Sequence, residues 1–268
     1  MMGTALITGA TSGIGREFCW QLSNAGNDLV MVARNRGRLD ALADNIRRVN
    51  GVNVEVLVAD LAEPDDLAQV CRRLAVRPAG DTESEGEELP SSVDLLVNNA
   101  GFGFESQFLD DDFDRQLYGL DVMVRAVMAT CYYGGRQMRS AGRGGIINVS
   151  SVAADTGMGP YSAHKAWVRT FSEGLYEELS GTGVNVTVVM PGLTHTEFHD
   201  RSGGKNYYGQ AVEALWMTPT QVVKETLAAL ERKQPLVTPS LRYKAIYHAT
   251  RIAPRFLVRA IVSKLPHA

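Results

Sequence analysis

Tyr161 and Lys165 stand four residues apart in the run Tyr-Ser-Ala-His-Lys, and Ser151 closes an apolar stretch ten residues before the tyrosine. A phenol beside an ammonium is a proton-transfer pair. An unperturbed tyrosine ionises at about pH 10, far from neutral. On a helix, positions four apart share a face. The ammonium can therefore stabilise the phenolate and draw its pKa toward the working pH, where general acid–base catalysis is most efficient. The Ser151 hydroxyl can hydrogen-bond a substrate oxygen on which negative charge develops. Such a set suits the protonation of a carbonyl oxygen, or the reverse, while the carbon gains or loses a hydride.

A hydride needs a carrier, and the first fifteen residues read as a seat for one. The short apolar run 4–8 leads into Gly9-Ala10-Thr11-Ser12-Gly13-Ile14-Gly15, and a helical pattern starts at Arg16. Strand, glycine-rich turn and helix in that order make a phosphate-binding unit. Small residues let the backbone approach a pyrophosphate, and the helix aims its unpaired N–H groups at the charge. The candidate contacts here are Thr8, Gly9, Thr11, Ser12, Gly13, Ile14 and Gly15. The second apolar run, 28–33, ends without an acid, and Arg34, Arg36 and Arg38 follow it. An acid in this region suits the free ribose of NAD, whereas an arginine accommodates the 2′-phosphate of NADP. Guanidinium groups grip phosphate bidentately. NADP(H) is the expected cofactor, with Arg34 as the main contact; the alternative is a solvated basic turn.

These groups need a frame. Apolar runs at 4–8, 28–33, 52–59, 93–98, 144–150, 184–190 and 235–237 alternate with helical patterns, among them 39–49, 111–138 and 161–179. The runs are continuous and β-branched rather than alternating. That predicts a single Rossmann-like, doubly wound parallel sheet of about seven strands with helices on both faces. In such a sheet ligands bind beyond the carboxyl ends of the strands, where the glycine turn, Asn98-Asn99-Ala100-Gly101, Ser151 and the Tyr161 helix can meet. Residues 1–240 are expected to form this domain. The acidic, Gly/Pro/Ser-containing stretch 77–92 reads as a solvated surface loop.

With 45% apolar and 21% charged residues in 268, the composition is that of a globular protein with a sizeable core. The net charge of −3 offers no field for nucleic acid. Cys19, Cys71 and Cys131 form neither a disulfide framework nor a zinc pattern, which suits a reducing compartment. The first strand begins too early to leave room for a signal peptide, and there is no run long enough to span a membrane. A cytoplasmic location is expected.

Taken together, the motifs resemble the short-chain dehydrogenase/reductase family over about residues 4–240. Its Thr-Gly-x3-Gly-x-Gly motif stands as Thr8 to Gly15, its Asn-Asn-Ala-Gly as residues 98–101, its serine and Tyr-x3-Lys as Ser151 and Tyr161/Lys165, and its Pro-Gly as Pro191-Gly192. The resemblance implies an NADP(H)-dependent oxidoreductase in which Lys165 also bonds the nicotinamide ribose. It further implies adenine contacts from Asp60 and Leu61, an adenosine-side border of Asn98, Asn99, Ala100 and Gly101, a carboxamide contact from Thr194 beside Pro191 and Gly192, and a homo-oligomer built through the long helices. Two departures stand out. The family's relay asparagine in the helix before the fifth strand is Met123 here, and methionine cannot hold a water as an amide does. The Ser151–Tyr161 segment is also short for the family, which could move the serine relative to the tyrosine. Both favour, as the alternative function, a catalytically weak NADP-binding sensor or scaffold.

No metal is expected. His195 and His199 lack a third ligand; His195 can instead line the crevice, and His164 is expected to face away from the Tyr161–Lys165 pair. Residues 193–218 lie where the family places its substrate lid. Phe198, Tyr207, Tyr208, Leu215, Trp216 and Met217 make it apolar, and Gly203, Gly204 and Gly209 would let it move. A hydrophobic carbonyl or alcohol is the expected substrate, although the same residues would equally pack the lid on the body. Residues 241–268 form a basic, apolar tail. Over 241–264 it suits either peripheral membrane contact or packing on a partner subunit, with Pro254 breaking the helix.

Overall fold

The computed structural model describes residues 3–76, 91–104, 106–198 and 215–252. Most of the acidic stretch, the middle of the expected lid (His199, Gly203, Gly204, Tyr207, Tyr208 and Gly209 included) and the tail from residue 253 lie outside the described residues.

Seven strands form one parallel sheet: β1 (Thr4–Thr8), β2 (Asp28–Ala33), β3 (Val54–Val58), β4 (Val93–Asn98), β5 (Gly144–Val149), β6 (Val184–Val189) and β7 (Leu236–Val237). Their spatial order is β3-β2-β1-β4-β5-β6-β7. The chain winds outward from β1 in one direction and then from β4 in the other. The two first-laid central strands therefore flank the switch point, where a crevice opens at their carboxyl ends. This is the doubly wound fold the apolar runs predict.

Side chains alternate across the pleat and fill two cores. Ala5, Ile7, Leu29 and Met31 face α1 (Gly13–Asn24), α2 (Arg36–Asn50) and, in the numbering used here, α7 (Pro219–Glu231). Leu6, Val30, Val32 and Leu96 face α3 (Pro64–Leu74), α5 (Ala126–Ala141) and α6 (Gly159–Glu178). Local chemistry sets the helix ends. Asn35 caps α2 by accepting from Arg38 N at 2.9 Å, and Gly51 closes it at φ +67°. Pro64 opens α3 with Asp65 and Asp66 in the first turn and Arg72 and Arg73 in the last, each matched to the helix dipole.

The stretch expected as one long helix is interrupted. α4 (Phe113–Leu120) runs into a π-helical turn, Asp121–Arg125, before α5, and the Ala126 N–H donates to Asp121 O five residues back. Such single-turn expansions rotate the following side chains and favour functional sites. Beyond β7, the first part of the basic apolar stretch is a helix, α8 (Leu241–Ile252). Its Tyr243 and Tyr247 are buried against the body, while Leu241 and Ile252 stay exposed. Among the described residues no helix is long and apolar enough to cross a membrane.

Candidate active site

The glycine turn folds tightly between β1 and β4. Thr8 Oγ1 accepts from Asn99 N at 3.0 Å and Ala100 N at 3.1 Å, and Asn99 Nδ2 donates to Thr8 O at 3.0 Å. A Cβ on Gly15 would lie 2.3 Å from both Gly9 O and Asn99 Nδ2, so only glycine fits there. Gly13 sits at φ +52° with Thr196 against it. Ile14 packs on the core below. At the N-cap of α1, the Ser12 side chain makes no capping bond, and no acid lies in the first turn. The helix thus offers N–H groups and dipole to an anion without internal competition, which fits the pyrophosphate of a dinucleotide.

Beside this cradle lies a polar cluster. Arg34, 63% exposed on its side chain, donates from Nη1 to the Tyr118 hydroxyl at 2.6 Å, and the same nitrogen is 3.8 Å from Asp60 Oδ2. Tyr118, from α4, donates in turn to the Asp60 carboxylate, 3.0 and 2.9 Å from its two oxygens. Asp60 is anchored at the end of β3: its N–H donates to Asp66, and its Oδ1 accepts from Ala62 N at 3.0 Å. Leu61 is buried in the core. Arg36 begins α2. Arg38 is committed elsewhere, to both carboxylate oxygens of Glu197 at 3.1 and 2.7 Å and to Thr11 O at 3.1 Å.

At the other end of the crevice Ser151, Tyr161 and Lys165 come together. Ser151 lies near enough to the Tyr161 phenol to act on its pKa, and its Oγ accepts from Ala153 N at 3.1 Å. The Ser151–Tyr161 segment is short. It runs through a 3-10 turn, Val152–Asp155, pinned by an Asp155–Arg169 ion pair and by Thr156 and Met158 N on Ser162. Lys165 Nζ donates to Val149 O at 2.8 Å and lies 5.7 Å from the Tyr161 ring centroid. Ser150 Oγ donates to Lys165 O at 2.7 Å and fixes this turn of α6 to β5. Burial pushes Tyr161 up to about 12, opposed by Ser151, and pushes Lys165 down to about 8. The expected lowering of Tyr161 by Lys165 is not seen: the ammonium stands over the ring, 5.7 Å from its centroid, and both groups are desolvated.

A sequence-family model described as short chain dehydrogenase matches residues 3–206. The chain belongs to the short-chain dehydrogenase/reductase family. It is 34% identical over 199 residues to the very-long-chain 3-oxoacyl-CoA reductase of Anas platyrhynchos, covering 70% of this chain and 58% of that enzyme. It is 34% identical over 245 residues to sulfoacetaldehyde reductase 2 of Chromohalobacter salexigens, covering 86% of this chain and 87% of that enzyme. Among solved structures, a short-chain dehydrogenase from Sphingobium yanoikuyae in complex with NADPH superposes with a TM-score of 0.81 at 31% identity, covering 100% of this chain and 98% of that one.

Against this short-chain dehydrogenase frame, several side chains depart from expectation. Met123, expected at the relay position, is buried on the π-helical turn: a Cβ on Gly101 would lie 3.4 Å from both Met123 Sδ and Lys165 Nζ. Asp121 turns away to an ion pair with Arg125 at 3.0 Å. Asn98 points into the interior, where its amide joins Asn148 at 2.9 Å and Thr130 at 2.8 Å, so it is part of the frame and not of the adenosine border. Thr194 is buried and donates to Gly192 O at 3.0 Å, whereas Thr196 lies against Gly13 in the crevice. Pro191 O accepts from Val152 N at 3.0 Å. Gly192 leaves room for the Tyr243 ring, 1.9 Å from where its Cβ would be, and the Tyr243 hydroxyl accepts from Leu193 N at 2.9 Å.

Aromatic groups line the tyrosine end. Phe198 packs 5.6 Å from Tyr161, and Phe104 stands edge-on between Phe102 and His164. His164 is buried with its ring 6.0 Å from that of Phe104. His195 stacks on Trp216 at 4.7 Å. Among the described residues no cluster has the makings of a metal site.

Proposed function

We propose that this protein is an NADP(H)-dependent oxidoreductase acting on a hydrophobic carbonyl/alcohol pair. The observation that carries this reading is Ser151 beside the Tyr161 phenol with Lys165 one helical turn on, set at the carboxyl ends of β4 and β5 opposite the α1 cradle. When bound, NADP(H) supplies or accepts the hydride. Tyr161 gives its proton to the substrate oxygen in reduction and takes it back in oxidation. Ser151 polarises that oxygen and shares the developing charge with the phenol. Lys165 holds the nicotinamide ribose, and its charge favours the phenolate once the cofactor brings it into place. Thr8, Gly9, Thr11, Ser12, Gly13, Ile14 and Gly15 hold the pyrophosphate. Asp60, Leu61, Asn99, Ala100 and Gly101 border the adenosine side, and Arg34 takes the 2′-phosphate. Pro191, Gly192 and the following segment cover the nicotinamide, with Thr196 rather than Thr194 presenting the hydroxyl.

The relatives act on substrates as different as a very-long-chain 3-oxoacyl-CoA and sulfoacetaldehyde. The substrate reading therefore rests on Phe198, Phe102 and Phe104 beside Tyr161. Phe113, Leu117, Leu120, Met128 and Tyr132 form an exposed apolar stripe along α4 and α5 that fits a homo-oligomer contact. A catalytically weak NADP sensor is the second reading, favoured by the buried thioether of Met123 beside Lys165. The test is NADPH oxidation against a panel of lipophilic ketones and aldehydes, with Tyr161→Phe and Arg34→Ala alongside. Activity that survives Tyr161→Phe overturns the mechanism. NADPH binding without turnover across the panel favours the sensor. Unchanged NADPH affinity in Arg34→Ala removes the cofactor assignment.

A further inference from the structure

Tyr118 is not part of any motif, yet it is the residue on which the 2′-phosphate end of the crevice is hung. Its hydroxyl has one proton and lone pairs to give. The proton is shared between the two Asp60 oxygens, and a lone pair receives Arg34 Nη1. The ring is held from behind by Phe102, 5.6 Å away, and the Arg34 guanidinium carbon stands 5.9 Å from its centroid. Arg34 and Asp60 are thereby kept 3.8 Å apart, too far for a close charge-assisted bond. Among the described residues, Nη1 carries the polar contacts of the guanidinium, which leaves Nη2 and Nε to turn toward a ligand.

We propose that Tyr118 is a positioning residue that sets the preference for a 2′-phosphorylated cofactor by holding Arg34 off Asp60. The inference rests on Arg34 being the 2′-phosphate contact. The physics is a competition for one cation. With the hydroxyl present, Asp60 is satisfied by a neutral donor, and Arg34 is steered by a neutral acceptor. Without it, the carboxylate loses two short contacts and the guanidinium loses its anchor, and the gap closes into a direct ion pair. A phosphate must then displace a carboxylate to bind. The Tyr118 proton is secure in this role, because burial and the Asp60 carboxylate raise its pKa to about 12.

The test is the ratio of NADH to NADPH dissociation constants, read by nucleotide fluorescence titration on the full chain. Tyr118→Phe keeps the ring on Phe102 and removes the hydroxyl. It is expected to lower the ratio about tenfold, the scale of one hydrogen bond to a charged group. Placing Asp60→Asn in the Tyr118→Phe background removes the competing charge and is expected to restore most of the ratio. A passive packing role for Tyr118 predicts no such restoration. Because adenine contacts affect both nucleotides alike, the ratio isolates the phosphate. Thermal melts of each variant separate misfolding from altered preference, and Tyr118→Leu, which also lacks the hydroxyl, must move the ratio in the same direction. If Arg34→Ala lowers the ratio and Tyr118→Phe does not, the inference is wrong and the Arg34 assignment stands. An Arg34→Ala protein with an unchanged ratio overturns both.

Discussion

Replacing Lys165 by methionine should abolish turnover and yet make the nucleotide-free protein more stable at neutral pH. Lys165 is 5% exposed, and burial alone lowers its pKa from 10.5 to about 8. Below about pH 8 both the folded and the unfolded chain carry the proton, so the folded state bears the whole cost of a buried charge. Between there and 10.5 the folded state releases the proton first. The unfolded chain then binds more protons, and stability rises with pH. At about 1.4 kcal/mol per pH unit, the displacement is worth about 3 kcal/mol across the window. Methionine removes that cost but also strips Val149 O of its donor, a loss of roughly 1–3 kcal/mol. The net at pH 7 is a gain of about 1 kcal/mol, or roughly 2–4 °C in Tm for a chain of this size. By pH 9.5 the wild type has recovered about 2 kcal/mol of the charge cost, and the order of stabilities reverses. Tyr161 contributes with the opposite sign only above pH 10, where the unfolded phenol ionises before the buried one, so it does not disturb the comparison. Melting curves of both proteins at pH 7, 8 and 9.5 decide the matter. A wild-type minus variant difference that stays flat with pH would refute the reasoning.

Ser151→Ala should cost about 10²–10³ in kcat, the loss of one donor at a developing oxyanion. It should also shift the pH midpoint of alcohol oxidation upward, since Ser151 is the group that lowers the Tyr161 pKa. Gly15→Ala should destabilise the fold by about 1–3 kcal/mol and weaken NADPH binding, because its methyl meets Gly9 O and Asn99 at 2.3 Å; denaturant titration and nucleotide titration read the two effects. Tyr243→Phe leaves the Leu193 N–H without that acceptor and should lower stability by roughly 1–2 kcal/mol in urea unfolding, with the ring still seated over Gly192.

The glycine turn, the Tyr161–Lys165 pair on one helix and the parallel sheet were legible in the sequence because each is local. A positive φ demands glycine, an i,i+4 pair needs one helix, and continuous β-branched runs need two covered faces. Residues brought in by topology were not. Tyr118 reaches Asp60 across 58 positions, and Tyr243 reaches Leu193 across 50. Nothing in the pattern around either marks the contact. Thr194, the expected carboxamide contact, is buried and bridged to Met217, a partner from the far side of the segment that follows, while Thr196 stands against Gly13. The π-helical turn was hidden because a one-residue expansion leaves the helical pattern of α4 and α5 almost unchanged.

The seat of Tyr243 over Gly192 also fixes an order of events during synthesis. The glycine turn lies in the first fifteen residues, and the sheet is nearly finished by β6, but the Pro191-Gly192 turn waits for a ring some fifty positions further on. A nascent chain emerging from the ribosome N-terminus first would have its glycine turn, and the Asn99 that packs on it, long before the Pro191-Gly192 turn is closed. The glycine turn would thus be in place well before the Pro191-Gly192 turn, and α8 would decide when the second is finished.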